Sequence, residues 1–134
     1  MIPKRLQARL DDLALFPDRA DRIQALIAMA EEYRHPSPAE LERTEGARVP
    51  GCESEVYVGR GESGPRIAVD NPQGVSAQAL AVMLEDGLAD ATPEEADAVP
   101  DEIVYEVFGR ELSMGKSMGL TNTVRMAKQF AKQR

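Results

Sequence analysis

One cysteine and one histidine in 134 residues leave this chain neither an internal disulfide nor a Cys/His metal staple. A lone thiol cannot close an internal disulfide, and Cys52 with His35 cannot complete a Cys/His zinc site. A carboxylate-only metal site stays open, although the carboxylates show no EF-hand spacing. The fold must therefore rest on apolar burial, and a chain of this length can supply an adequate core unaided. Residues 1–134 read as a single domain.

Where that core comes from follows from the punctuation of the chain by proline and glycine. Pro3 suits a first helical turn, and Leu6, Leu10 and Leu13 recur at helical spacing up to Pro17. A second helix is expected from Asp18, with Ile23, Leu26, Ile27 and Ala30 on one face, until Pro36 and Pro38 interrupt it. Ser37-Pro38-Ala39-Glu40 has the form of a capping box and predicts a short helical segment. Near residue 50 the period changes. Glu55–Val58 and Arg66–Val69 are β-favouring runs separated by a Gly- and Pro-rich linker, which predicts an antiparallel hairpin with a loop longer than two residues.

Helix returns at Ser76, with Leu80, Val82, Met83, Leu84 and Leu88 supplying apolar faces. Thr92-Pro93-Glu94-Glu95 is a second capping box. After Pro100, the stretch Asp101–Phe108 fits a helical turn or a strand on propensity alone. From Ser117, Leu120, Val124, Ala127 and Ala131 keep helical spacing, and Lys128, Lys132 and Arg134 suit the negative end of the helix dipole. The economical architecture is α+β: a small antiparallel sheet of two or three strands packed against helices from both ends of the chain.

The net charge of −7 argues against a nucleic-acid partner. Its distribution says more. Residues 67–109 carry ten acids and no Lys or Arg, whereas residues 110–134 carry six basic groups and only Glu111. The basic final stretch is either a docking face or the complement of the acidic middle. No run approaches the roughly 18 apolar residues of a membrane span, and Asp11 and Asp12 interrupt the start where a targeting peptide would be apolar. A cytoplasmic protein is expected, a compartment whose reducing conditions suit a free thiol.

Attention then falls on Cys52, set between the turn-forming Pro50-Gly51 pair and the first strand. A lone cysteine can be a small buried apolar residue. It can also be a reactive thiol on an exposed loop, and Gly51 removes a side chain that would obstruct approach. Reactivity requires thiolate, which Arg48 would favour and Glu53 and Glu55 would oppose. A Cys–His hydrolase would pair Cys52 with His35, but His35 lies at a helix end between Arg34 and Pro36, where a capping or exposed role is simpler. Gly59, Gly61 and Gly64 have G-x-G-x-x-G spacing, but they lie between two strands instead of opening a helix, so no nucleotide site is read from them.

The segment Val49-Pro50-Gly51-Cys52-Glu53-Ser54-Glu55-Val56-Tyr57 resembles the cysteine signature of the SufE family of sulfur-acceptor proteins. Gly115-Lys116-Ser117-Met118-Gly119-Leu120 is similar to the family's Ser-Arg-x-x-Gly-[Leu/Met] opening of the last helix, and the order of elements agrees over nearly the whole chain. The chain departs from the pattern at Glu53, commonly Gln; at Tyr57, commonly Trp; at Lys116, commonly Arg; and across residues 70–79, where an acidic Ser-Asp pair and a Lys-Gly are absent.

The resemblance implies a sulfur relay. A cysteine desulfurase, using its own pyridoxal phosphate, forms a persulfide; Cys52 accepts the outer sulfur and carries it to an iron–sulfur cluster scaffold complex. This chain would itself bind no cofactor and no metal. It would stimulate the desulfurase as an accessory carrier, not a stand-alone enzyme, and act as a monomer or weak homodimer. Gly51 and Ser54 would support the loop, and Arg48 and Lys116 are candidate stabilisers of the sulfur anion. A non-carrying adaptor or regulator that binds a desulfurase or a cluster scaffold is the alternative.

Overall fold

A computed structural model describes residues 1–52, 54–109 and 114–133, with the side chains of residues 114 and 115 excluded. Glu53 and Arg134 therefore lie outside the described residues. The chain runs α1 (Lys4–Ala14), α2 (Arg19–Ala30), β1 (Val56–Arg60), β2 (Pro65–Val69), α3 (Val75–Gly87), α4 (Pro93–Asp97), α5 (Ile103–Phe108) and α6 (Met114–Lys132). The fold is α+β, with one two-stranded antiparallel sheet among the described residues.

The hairpin follows the expected logic. Val56 pairs with Val69 and Arg60 with Pro65, leaving a four-residue loop closed by Gly61 N–H donating to the Gly64 carbonyl at 2.6 Å. A single antiparallel bridge between Arg48 and Tyr57 adds a fragment of a third strand.

α3 is the centre of the core. Its residues Ala79–Leu84 are all buried, because α1 and α2 pack on one side of it and β2 and α6 on the other. A helix apolar all round needs neighbours all round. Gly87 lets α1 come close: a Cβ there would stand 2.8 Å from the Leu6 Cβ. On α6 the expected stripe of Leu120, Val124, Ala127 and Ala131 is buried in full.

Differences from the sequence reading have local causes. In α2 the buried stripe is Leu26, Met29 and Ala30, with Tyr33 following it, while Ile23 and Ile27 are exposed on the flank. Met29, which the apolar spacing alone did not select, is buried in the helix that packs on α3. Ser37 and Glu40 do exchange capping-box hydrogen bonds, each at 3.3 Å, yet the segment is one turn and not a helix. The segment lacks the apolar continuation that would extend one turn into a packed helix. By contrast, Thr92 and Glu95 form the full reciprocal box and α4 follows with Pro93 in its first turn. Pro3 sits one position before α1, its carbonyl accepting from Gln7 N–H. The stretch after Pro100 resolves as helix, and α6 begins three residues before Ser117.

The basic face of α6 is spent on the acidic segment beside it. Arg125 and Lys128 both reach Asp101, at 2.9 and 3.3 Å, and Lys132 reaches Asp97 at 3.0 Å. Complementarity within the chain accounts for these charges. Among the described residues no helix is long and apolar enough to cross a membrane.

Candidate functional site

Residues 50–52, 54 and 55 belong to a loop closed at its base. Val49 N–H donates to the Val56 carbonyl at 2.8 Å, and Arg48 bridges to Tyr57, so both ends are pinned to β1. At its start Gly51 has φ of +81°, a conformation L side chains rarely adopt. The turn therefore requires glycine, whereas the sequence alone suggests only a cleared approach to the sulfur. Cys52 follows, half-buried.

What half-buries it is α6. Gly119 faces the loop so closely that a Cβ there would lie 2.8 Å from both Cα and Sγ of Cys52. One turn on, Asn122 Nδ2 donates to the Pro50 carbonyl at 2.9 Å. The Thr123 hydroxyl lies 3.9 Å from Cys52 Sγ and itself donates to the Gly119 carbonyl at 2.8 Å. Met118, largely exposed, packs its thioether over Gly51. On the other side of the loop Asn71 Nδ2 donates to Ser54 Oγ at 2.9 Å. Asn71 is itself fixed, its Oδ1 accepting from Gln73 N–H and its carbonyl accepting from Gln78 Nε2. Two amide side chains thus hold the loop two residues before and two residues after the cysteine.

Beside the sulfur is an open cavity of about 350 Å³. Cys52 and Ser54 form the loop wall, Asn71 and Val75 the wall from the β2–α3 turn and α3, and Lys116 and Leu120 the wall from α6. Electrostatics at the thiol oppose one another. Burial pushes the Cys52 thiol up, while the Thr123 hydroxyl and, more weakly, the Arg48 guanidinium pull it back. The net result lies above the ordinary thiol, so the resting sulfur is held mainly protonated at neutral pH.

Of the residues expected from sequence, Cys52, Ser54 and Lys116 line this one cavity, Gly51 forms the turn just before the cysteine, and Arg48 acts on the sulfur through its field. Ser54 holds the loop by accepting from Asn71 Nδ2. His35 does not join them. It meets Asp70 at 2.5 Å and lines a separate cavity of about 480 Å³ with Tyr33 and Gln78, so no Cys–His pair forms. Sequence reasoning did not find Asn71, Asn122 and Thr123. The only local hint for the last is its position four residues, one helical turn, after Gly119.

The sequence matches the family described as SufE, Fe-S metabolism associated domain, over residues 7–131. Among solved structures, it is similar to the solution structure of a hypothetical protein from Thermus thermophilus. That likeness has a TM-score of 0.66 at 22% identity and covers 98% of this chain and 96% of that one, which extends to the fold alone. No curated protein matches the chain significantly.

Proposed function

The chain belongs to the SufE family of Fe–S metabolism proteins, and from that premise we propose that Cys52 accepts sulfane sulfur from a cysteine desulfurase and passes it to iron–sulfur cluster assembly. The observation that carries the reading is the placement of the one thiol on a clamped loop beside an open cavity. A sulfur acceptor needs a nucleophile that another protein can reach and a recess that keeps the labile product from stray thiols.

The step balances without an external oxidant. The Cys52 thiolate attacks the outer sulfur of the desulfurase persulfide, a new S–S bond forms on Cys52, the partner's S–S bond breaks, and its cysteine leaves as thiolate. The terminal sulfur of the product has room in the adjoining cavity, where Lys116 supplies a positive charge. A second thiol would resolve the persulfide into a disulfide, and the chain has none. Pyridoxal phosphate belongs to the partner in this scheme. The cytoplasm, as a reducing compartment, belongs to the same proposal.

The test is intact mass after incubation with an active desulfurase, pyridoxal phosphate and cysteine. A gain of about 32 Da that disappears on reduction and never forms in Cys52→Ser supports acceptance of one sulfur atom. Unmodified protein beside a turning-over desulfurase would sink the idea. A purely adapting partner would keep its stimulation of the desulfurase in Cys52→Ser; a carrier loses it.

A further inference from the structure

We propose that Thr123 is a positioning residue for the Cys52 sulfur, its hydroxyl accepting from the thiol in the resting state and donating to the sulfur once it is ionised. A threonine hydroxyl carries one donor hydrogen and two acceptor lone pairs, so it can serve either form by turning about one bond. In the resting arrangement its hydrogen is used on the Gly119 carbonyl, at 2.8 Å, which leaves the oxygen to accept from Cys52 at 3.9 Å. When the thiol proton leaves for solvent, the same hydroxyl can rotate its hydrogen onto the thiolate. The Gly119 carbonyl then keeps its helical N–H partner from position 123, so no buried acceptor is abandoned.

Burial makes this exchange matter. Thr123 is 3% exposed, so no water substitutes readily for its hydroxyl on that side of the sulfur. The contact is at the outer limit for a sulfur hydrogen bond, and the Asn122 clamp on the Pro50 carbonyl keeps it from opening further. The other groups around the sulfur offer less. From the chain before β1, Arg48 acts as an exposed charge; from α6, Lys116 lines the cavity; from the β2–α3 turn and α3 come the neutral Asn71, Gln73, Val75 and Ser76.

The inference deepens the acceptor reading by naming what readies its nucleophile, but its test does not need a desulfurase. Because Cys52 is the only thiol, the pH dependence of iodoacetamide alkylation reports one site. Thr123→Val keeps the shape and removes the hydroxyl; its midpoint is expected to rise by about one pH unit, with the high-pH plateau rate unchanged. Thr123→Ser restores the hydroxyl and should titrate within a few tenths of a unit of wild type. A valine variant that titrates like wild type overturns the proposal. Should that variant fold poorly, the wild-type S–H stretching band decides: a band displaced to lower frequency than that of a thiol free of hydrogen bonds in an apolar solvent supports the contact, and an undisplaced band overturns it. Sulfur loading of wild type by a desulfurase is scored separately, so loss of the acceptor reading and loss of this inference are distinguishable.

Discussion

Gly119 and Cys52 stand closer than any side chain would allow: a Cβ on Gly119 would lie 2.8 Å from the sulfur, 2.8 Å from the cysteine Cα and 2.9 Å from the Gly51 carbonyl. Two of those three atoms are backbone or fixed to it, so Gly119→Ala cannot be relieved by a rotamer. The loop must leave α6, which weakens the Asn122 bond and wets the sulfur. Alanine gains about 1 kcal/mol of helix propensity over glycine, partly offsetting that loss. The expected result is a modest fall in melting temperature with alkylation of Cys52 at pH 7 several-fold faster. An unchanged alkylation rate would show that burial against α6 does not restrain the thiol.

The two amide clamps should be separable. Asn122→Ala removes the bond to the Pro50 carbonyl and Asn71→Ala the bond to Ser54, each worth about 1 kcal/mol. Asn71 also organises its own turn through Gln73 and Gln78, so its loss is expected to cost more global stability. Asn122 is expected to act mostly on the loop. Urea unfolding together with hydrogen exchange on residues 50–55 measures the difference; equal global losses would contradict it.

These clamps also mark how far the sequence could be read. The hairpin, the α4 capping box and the α6 stripe were legible because each is fixed by residues a few positions apart: β-branched runs, a Thr-Pro-Glu-Glu start, a helical spacing of small and branched side chains. The address of Cys52 was legible for the same reason. Its environment was not. Asn122 and Thr123 reach it across about seventy residues, and nothing in either segment announces the other. The Ser37 box misled because its hydrogen bonds form without the apolar continuation that would extend a turn into a helix. In α2 the choice between Ile27 and Met29 as the buried residue depended on the position of α3, a tertiary fact.

Close approach governs a second glycine far from the site. A Cβ at Gly87 would meet Leu6 at its Cβ, 2.8 Å, and at its Cα, 3.1 Å, so relief requires α1 to move away from α3. Leu6 is fully buried, and displacing it opens the core. Gly87→Ala is expected to destabilise by about 1–3 kcal/mol in urea unfolding, as overpacking does. Alkylation of Cys52 in the folded protein should be untouched, since the loop rests on α6. A stabilised variant would mean that α1 yields freely.

Asp70 ties the irregular segment after α2 to the end of β2. Arg43 donates to both its carboxylate oxygens, at 2.9 and 3.0 Å, and donates to the Pro36 carbonyl at 2.7 Å; His35 meets the same carboxylate at 2.5 Å. The Arg43 guanidinium first, and His35 after it, hold the Asp70 carboxyl below the usual carboxylate range. A depressed folded-state value contributes stability that is complete above the unfolded carboxylate value, about 4, and is lost as pH falls through the folded one. Asp70→Asn should therefore cost about 1–3 kcal/mol near neutrality, the worth of hydrogen bonds to a charged group. The gap between variant and wild type should close as the pH is lowered below about 4, because protonation then does to the wild type what the substitution did. Arg43→Ala should reproduce the neutral loss and flatten the same acid limb, while His35→Ala should reproduce only a fraction of it. Thermal unfolding of the four proteins between pH 7 and the acid limit measures the closure; a gap that stays constant with pH would show that the carboxylate's charge contributes nothing to the tie.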